Sequence, residues 1–316
     1  MDAKLDSITV TPWDGKPITN PGWYSGIPIE TYHSAGICDD VAISSSNLRT
    51  CWSKSPRHMF AQWCENPKAE VKKVTRPMIL GQAAHHLFLG EDDFGQKFIA
   101  QPEYYPDKKT GELKPWHGSA NYCKAWQEAH AKFVVVTVKE FEAIIEMAKS
   151  LQLNPLVNDG ALNGRIECSG FFKHAETGLW VKVRPDVIPM TSGDYIDMKT
   201  ASGVTTHELQ YTMREYGYHQ QGALVWEACD ALGSPFTEFT LMFIETSSPY
   251  CSRDISVTPE DMARGRKQNL WAMRAIRNCI EQDHWWGPGE GDLRPLPLGN
   301  DERARIDARL KAEGMT

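Results

Sequence analysis

The stretch GLWVKVRPDVIPMTSGDYIDMKT, residues 178–200, decides the reading of this chain. It parses as two apolar strands, 178–189 and 195–200, joined by a short turn at Thr191-Ser192-Gly193-Asp194. A turn centred on Thr191 and Ser192 sets Asp186 opposite Asp197, and a turn centred one residue later sets Asp186 opposite Lys199. Under either register Asp186, Asp197 and Lys199 fall on one face, because side chains alternate along a strand. Two facing carboxylates repel unless positive charge sits between them. A divalent metal with oxygen ligands meets that need, and Lys199 is placed to assist it. The other reading of the same stretch is a surface hairpin with scattered charges. Val181, Val183 and Val187 form a core-facing stripe, while Trp180, Lys182 and Arg184 share the face of Asp186. Basic residues beside carboxylates suit a phosphate-bearing polymer.

Outward from this hairpin, the preceding segment RIECSGFF (165–172) reads as a strand carrying Arg165 and Glu167 on one face. Glu167 is either a third carboxylate for a second metal or half of a surface ion pair. Upstream, a helix over about 77–89 carries His85 and His86 among apolar neighbours. A histidine there is either a satisfied core residue or a metal ligand, and an imidazole ligand suits manganese better than magnesium. Downstream, a long helix over about 207–230 sets Tyr211, Arg214, Tyr218 and Gln221 on one stripe. That stripe is either a solvated amphipathic face or a set of phosphate and base contacts.

The remaining elements are helices at 44–65 (capped near Ser45 and interrupted at Pro56), 118–133, 138–151 after the cap Thr137, and 259–282 after the cap Thr258. Strands are expected at 165–174, 237–246 and 252–257, and residues 95–115 read as a loop. The chain divides into an extended Pro- and Gly-rich arm (1–25), a domain over 26–285 that is helical to 160 and α/β over 161–285, and a tail (286–316) with a short charged helix at 301–313. The fold class is α/β.

Composition narrows the function. The 316 residues carry 34 Lys and Arg against 41 Asp and Glu, a net charge of −7 that excludes a general nucleic-acid coat but not a local basic channel. Eight cysteines lie far apart with no C-x-x-C pair, which argues for reduced, mostly buried thiols and against an iron–sulfur cluster. No apolar run is long enough for a membrane span and no signal peptide opens the sequence, so a cytoplasmic protein is expected. There is no Walker A loop, no G-x-S-x-G and no H-E-x-x-H.

Taken together, LGQAAHHLFLGEDDF, ECSGFFKHAETGLWVKVRPD, IDMKT and YGYHQQGA resemble the PD-(D/E)xK nuclease superfamily, and within it the RecE-like exonucleases of the exodeoxyribonuclease VIII type, over about residues 27–285. The resemblance implies a restriction-endonuclease-like core, a mixed central sheet flanked by helices, with a helical N-terminal region. It implies His85, four residues after Gly81, as the metal-site histidine, Asp186 and Asp197 as metal carboxylates, and Lys199 as the catalytic lysine. Tyr218 and Gln221 match the motif of the following helix. The second acidic position is Asp197 where many members carry Glu, and either side chain binds a metal. Expected with these are Glu167 as a further metal carboxylate, Arg165, Lys182, Arg184 and Arg214 as phosphate contacts, and Mg²⁺ as cofactor with Mn²⁺ substituting. The implied activity is 5′ to 3′ digestion of linear double-stranded DNA ends, leaving 3′ single strands, by a ring-like homo-oligomer that works with a single-strand annealing protein. Two other functions fit the same residues: an endonuclease or single-strand nuclease, and a non-catalytic DNA-binding assembly partner with a structural metal.

Overall fold

The computed structural model describes residues 8–70, 74–90, 94–190, 192–290 and 299–312. Glu238–Glu245 (EFTLMFIE) is buried at every position from 239 to 244. A strand that apolar throughout must be covered on both faces. It pairs in parallel with Asp194–Ala201, and a parallel pair needs a crossover connection. Two helices, Thr206–Tyr216 and Tyr218–Leu232, supply it.

Ser252–Ser256 continues this sheet antiparallel on one side, and Val187–Ile188 then Arg165–Ile166 continue it on the other. Side-chain alternation sorts the two faces. Tyr195, Phe239, Leu241 and Phe243 pack on Ala223 and Leu224 of the Tyr218–Leu232 helix. Ile196, Met198, Met242 and Ile244 pack on Ala83 and Ala84 of the helix Arg76–Phe88 and on Ile144 and Met147 of the helix Val138–Leu151. The result is the mixed sheet between helical layers that the sequence predicts.

A second five-stranded sheet has the order Val10–Pro12, Gly22–Ser25, Ser169–Lys173, Trp180–Val183, Ala42–Ser44. Here the structure corrects three expectations. The segment expected as an extended arm is, over its described residues 8–25, part of the body: it supplies two strands, and Ile18 and Trp23 are core residues. The predicted strands 165–174 and 178–189 are each broken, their outer parts pairing with each other in this second sheet and their inner parts joining the first. The hairpin of 178–189 with 195–200 therefore reduces to one paired position, Val187 with Ile196. Of its turn, Thr191 lies outside the described residues.

The breaks fall at Glu167-Cys168 and at Arg184-Pro185-Asp186, side by side. Pro185 has no N–H to give a ladder, which favours a strand end there. Glu167 adopts φ +55°, the left-handed region that a non-glycine residue enters at a cost of about 1–3 kcal/mol. Its N–H donates to the carbonyl of Asp186 (3.2 Å), tying the two breaks together.

The read-out loop 95–115 also contains short strands, Phe98–Ala100, Tyr104–Pro106 and Leu113–Pro115. The helix predicted over 118–133 is confined to Asn121–Ala129. The capped helix after Thr137 is found as read, with Thr137 and Glu140 forming a capping box. The tail carries a helix, Asn300–Ala312, while residues 291–298 and 313–316 lie outside the described set. Among the described residues no helix is long and apolar enough to cross a membrane. All eight cysteines are free, and only Cys251 is exposed.

Candidate metal centre

The site lies where the two sheets part. Extending the Val187–Ile196 register by one residue brings Asp186 abreast of Asp197, the first of the two predicted registers. Asp186 stands outside the strand, however, and its Oδ2 accepts from the Met198 N–H (2.6 Å), so it caps the ladder that the bend leaves open.

Helix Arg76–Phe88 delivers the histidine. Gly81 lets this helix press onto the Asp194–Ala201 strand: a Cβ there would stand 3.2 Å from Thr200 Oγ1. One turn later His85 Nε2 lies 2.9 Å from Asp186 Oδ2, and its Nδ1 is 3.7 Å from Glu167 Oε1. His86 points the other way, buried beside the rings of Phe94 and Phe98. The structure thus brings His85, not its neighbour, to the carboxylates.

His85, Glu167 and Asp186 each offer a ligand atom, all within 4.8 Å of one another. Asp197 borders this cluster rather than joining it. Its Oδ1 accepts from Gln221 Nε2 (2.8 Å), and its Oδ2 is in ion contact with the Lys199 ammonium without an aligned hydrogen bond. Lys199 also lies over the ring of Tyr218, with Nζ 5.3 Å from the centroid.

Burial and the charge of the neighbours compete at each of these groups. Burial alone would lower the His85 pKa, but Asp186, Glu167 and Asp197 outweigh it and raise it to about 9. Burial and then the neighbouring Asp186 charge push Asp197 up to about 6, against the pull of Lys199. Burial would likewise raise Asp186, but the His85 charge and hydrogen bond and Lys199 hold it below its usual value. Two carboxylates and an imidazole around one point, with the Asp197–Lys199 pair alongside, fit a divalent cation.

The predicted phosphate contacts fare differently. Lys182 is 3% exposed and donates to the Tyr32 carbonyl (2.6 Å), so it cannot meet DNA. Its strand is covered on both faces, Val181 and Val183 by one cluster and Trp180 by another, so alternation does not expose it. Arg184 pairs with Glu167 Oε2 (2.7 Å) and donates to the Ile27 carbonyl (3.0 Å), so it braces a site carboxylate instead of facing solvent. Arg165 donates to the Ile8 carbonyl. Of the four, Arg214 stays open, its guanidinium 5.2 Å from the Tyr211 ring centroid.

The single long helix over 207–230 is also corrected. Gly217 (φ +61°) ends one helix and begins the next, so Tyr211 and Arg214 do not continue the face of Tyr218 and Gln221. The reading missed Arg49, from the helix Ser45–Ser53. Its guanidinium sits 5.9 Å from the Tyr218 centroid and its Nη1 donates to the Tyr216 carbonyl (2.5 Å). A partner 167 residues away leaves no local pattern from which it could have been found.

Comparison with known proteins agrees with this frame. The model of a family described as a PDDEXK-like domain of unknown function, DUF3799, matches residues 44–291. No curated protein matches the sequence. Among solved structures, a candidate exonuclease from Eubacterium rectale superposes with a TM-score of 0.53 at 14% identity, covering 82% of this chain and 90% of its own. A phage-related exonuclease from Haemophilus somnus covers 64% of this chain and 94% of its own at 13% identity, with a TM-score of 0.28 too low to carry argument.

Proposed function

We propose, from the premise that the chain belongs to the PDDEXK-like family, that it is a metal-dependent nuclease hydrolysing phosphodiesters of DNA. The observation that carries this is the convergence of His85, Glu167 and Asp186 beside the Asp197–Lys199 pair, at the bend between two sheets. In this reading His85, Glu167 and Asp186 hold the metal, with Asp197 at their border as the further carboxylate. A bound Mg²⁺ or Mn²⁺ would lower the pKa of a water and neutralise charge on the scissile phosphate. Gln221 fixes Asp197 by its hydrogen bond, and Tyr218 confines Lys199 beside it. Lys199, held as an ammonium by Asp197 and Asp186, orients the attacking water or stabilises the charge that develops on the phosphate.

The finer reading is an exonuclease that acts 5′ to 3′ on linear duplex ends, as a ring-like homo-oligomer supplying 3′ strands to a single-strand annealing protein. It rests on the sequence motifs and is in keeping with the exonuclease description of the Eubacterium rectale structure. The test is digestion of an end-labelled linear duplex and a closed circular duplex, each with Mg²⁺ or EDTA, beside Asp197→Ala. Loss of the linear DNA alone, dependent on metal and on Asp197, is expected, and the label lost first gives the polarity. Cutting of the circle makes the protein an endonuclease. Digestion of neither, with Mn²⁺ and single strands also tried, removes the nuclease reading.

A further inference from the structure

The turn at Gly217 does something that a continuous helix could not. Residues two apart in a helix do not face each other. Here Tyr216 and Tyr218, on either side of the left-handed Gly217, lie face to face with centroids 5.6 Å apart and planes 18° from parallel. Tyr218 is the inner member, against Lys199 at 5.3 Å and Phe243 at 6.0 Å. Tyr216 is the outer member and is 59% exposed. Its backbone is held in place, because Arg49 Nη1 donates to its carbonyl (2.5 Å). The core does not call for so exposed a ring, yet it is pinned in a stack that ends at the candidate catalytic lysine.

We propose that Tyr216 is a stacking platform for an unpaired nucleobase of the strand being cut. This rests on the nuclease reading above and names the form in which the site takes its substrate. The two rings are offset as well as near-parallel, and Tyr216 alone is exposed, so the surface offered is one ring, the size of a single base rather than a base pair. A base inside a duplex offers only its edges, so stacking on Tyr216 requires the strand to be splayed or already single. Every base has a π-face, so such a platform tolerates any sequence. Base–aromatic stacking contributes about 1–3 kcal/mol, a factor of about 5 to 150 in affinity.

The experiment is binding of a fluorescein-labelled single-stranded deoxythymidine oligonucleotide in EDTA, by anisotropy, to the full chain and to Tyr216→Ala, Tyr216→Leu and Tyr216→Phe. Alanine and leucine are expected to weaken binding about five-fold or more, and phenylalanine to retain it. Leucine keeps apolar bulk without a π-face, so it carries the test if the alanine variant does not fold. A 2-aminopurine within an otherwise identical strand should be quenched by the parent protein and less so by the leucine variant. Unchanged affinity in the leucine variant overturns the proposal, and so does a loss with phenylalanine as large as with leucine. Equal quenching of 2-aminopurine in a fully paired blunt end also overturns it, because the platform would then take base pairs. If the parent degrades linear DNA with Mg²⁺ while the leucine variant binds and cleaves as well, the platform fails and the nuclease stands. If the parent cleaves no DNA, the nuclease reading falls first and takes the platform with it.

Discussion

Lys182 and Lys199 are both largely withdrawn from solvent, on neighbouring pieces of the same bent ribbon, and they do different work. Lys182 lies in the sheet built by the N-terminal strands, where its ammonium meets a backbone carbonyl, and burial holds its pKa down. Lys199 lies in the other sheet against Asp197, where burial would lower its pKa but Asp197 and Asp186 raise it. The first satisfies one donor in a packed wall. The second is part of a charge cluster that the fold holds beside an open bend. A buried charge thus reports on function only through what surrounds it: carboxylates from several elements in one case, the carbonyl and ring of Tyr32 in the other.

The largest way to break this contrast is Lys199→Ala. Cleavage of linear duplex DNA with Mg²⁺ should fall about 10²- to 10³-fold, the usual contribution of one donor aimed at developing charge, with the far-ultraviolet spectrum unchanged. Rates within three-fold of the parent would strip Lys199 of its assigned role.

On the structural side the corresponding test is a titration. Glu227, on the Tyr218–Leu232 helix, is pushed up to about 7, first by burial and then by Asp230, against the pull of Arg266. Its neighbour His174 stands 3.4 Å away, just after the Ser169–Lys173 strand, and burial lowers the pKa of that imidazole. A raised carboxyl and a lowered imidazole both weaken the ion pair that the distance alone would suggest. A folded pKa above the unfolded one means that the native state binds the proton more tightly. Stability from this group is full below about pH 4.5 and is lost as pH rises to about 7, on the order of 3 kcal/mol in all. Glu227→Gln should remove most of this slope in denaturant melts between pH 5 and 8. A slope that survives the substitution assigns the titration to another group.

Much of the site was legible because its chemistry is written in short spacings. Asp-x-Lys and the Gly81–His85 interval each place a residue on one local element that forms as its pattern directs, whereas Arg-Pro-Asp falls at the break between two strands. The crossover strands and the capped helices are read correctly for the same reason. What could not be read is long-range. Strands at 10–12 and 22–25 exist because Ser169–Lys173 pairs with one of them, and nothing in a Pro- and Gly-rich segment announces that partner. Lys182 and Arg184 look like a solvent face because alternation assumes a sheet covered on one side, whereas Tyr32 and Ile27 close the other. The sharp bend at Glu167 is invisible for a further reason: a left-handed glutamate contradicts local propensity and is held by the Asp186 carbonyl and the Arg184 pair.

A packing test sharpens the same distinction with a smaller effect. Lys182→Ala leaves the Tyr32 carbonyl without its donor and a gap beneath the ring, and should cost about 2 kcal/mol in urea unfolding. Lys182→Met fills the gap without a buried charge and should cost less. Neither should alter cleavage per folded molecule. A loss of rate in the methionine variant, at temperatures where it is fully folded, would bring Lys182 back to the DNA side.

Gly217→Ala has the smallest expected effect on stability, and it joins the two halves of the comparison. The added methyl must be borne at φ +61°, which costs about 1 kcal/mol or somewhat more in backbone strain. It would also stand 2.9 Å from Gln220 Oε1 and 3.2 Å from Arg49 Cδ, the stem of a side chain whose head is hydrogen-bonded, so these neighbours must give by a few tenths of an ångström. Those movements fall on Arg49, which holds the Tyr216 carbonyl and borders Tyr218. A substitution in the structural wall that cost so little would leave the rate alone. This one should slow cleavage several-fold more than its loss of stability accounts for, because it shifts the ring that confines Lys199. Measured against Gly233→Ala, also left-handed but with no atom within 4 Å of the added carbon, the excess isolates the turn's part in the site. Equal rates in the two variants would make Gly217 a helix terminator and nothing more.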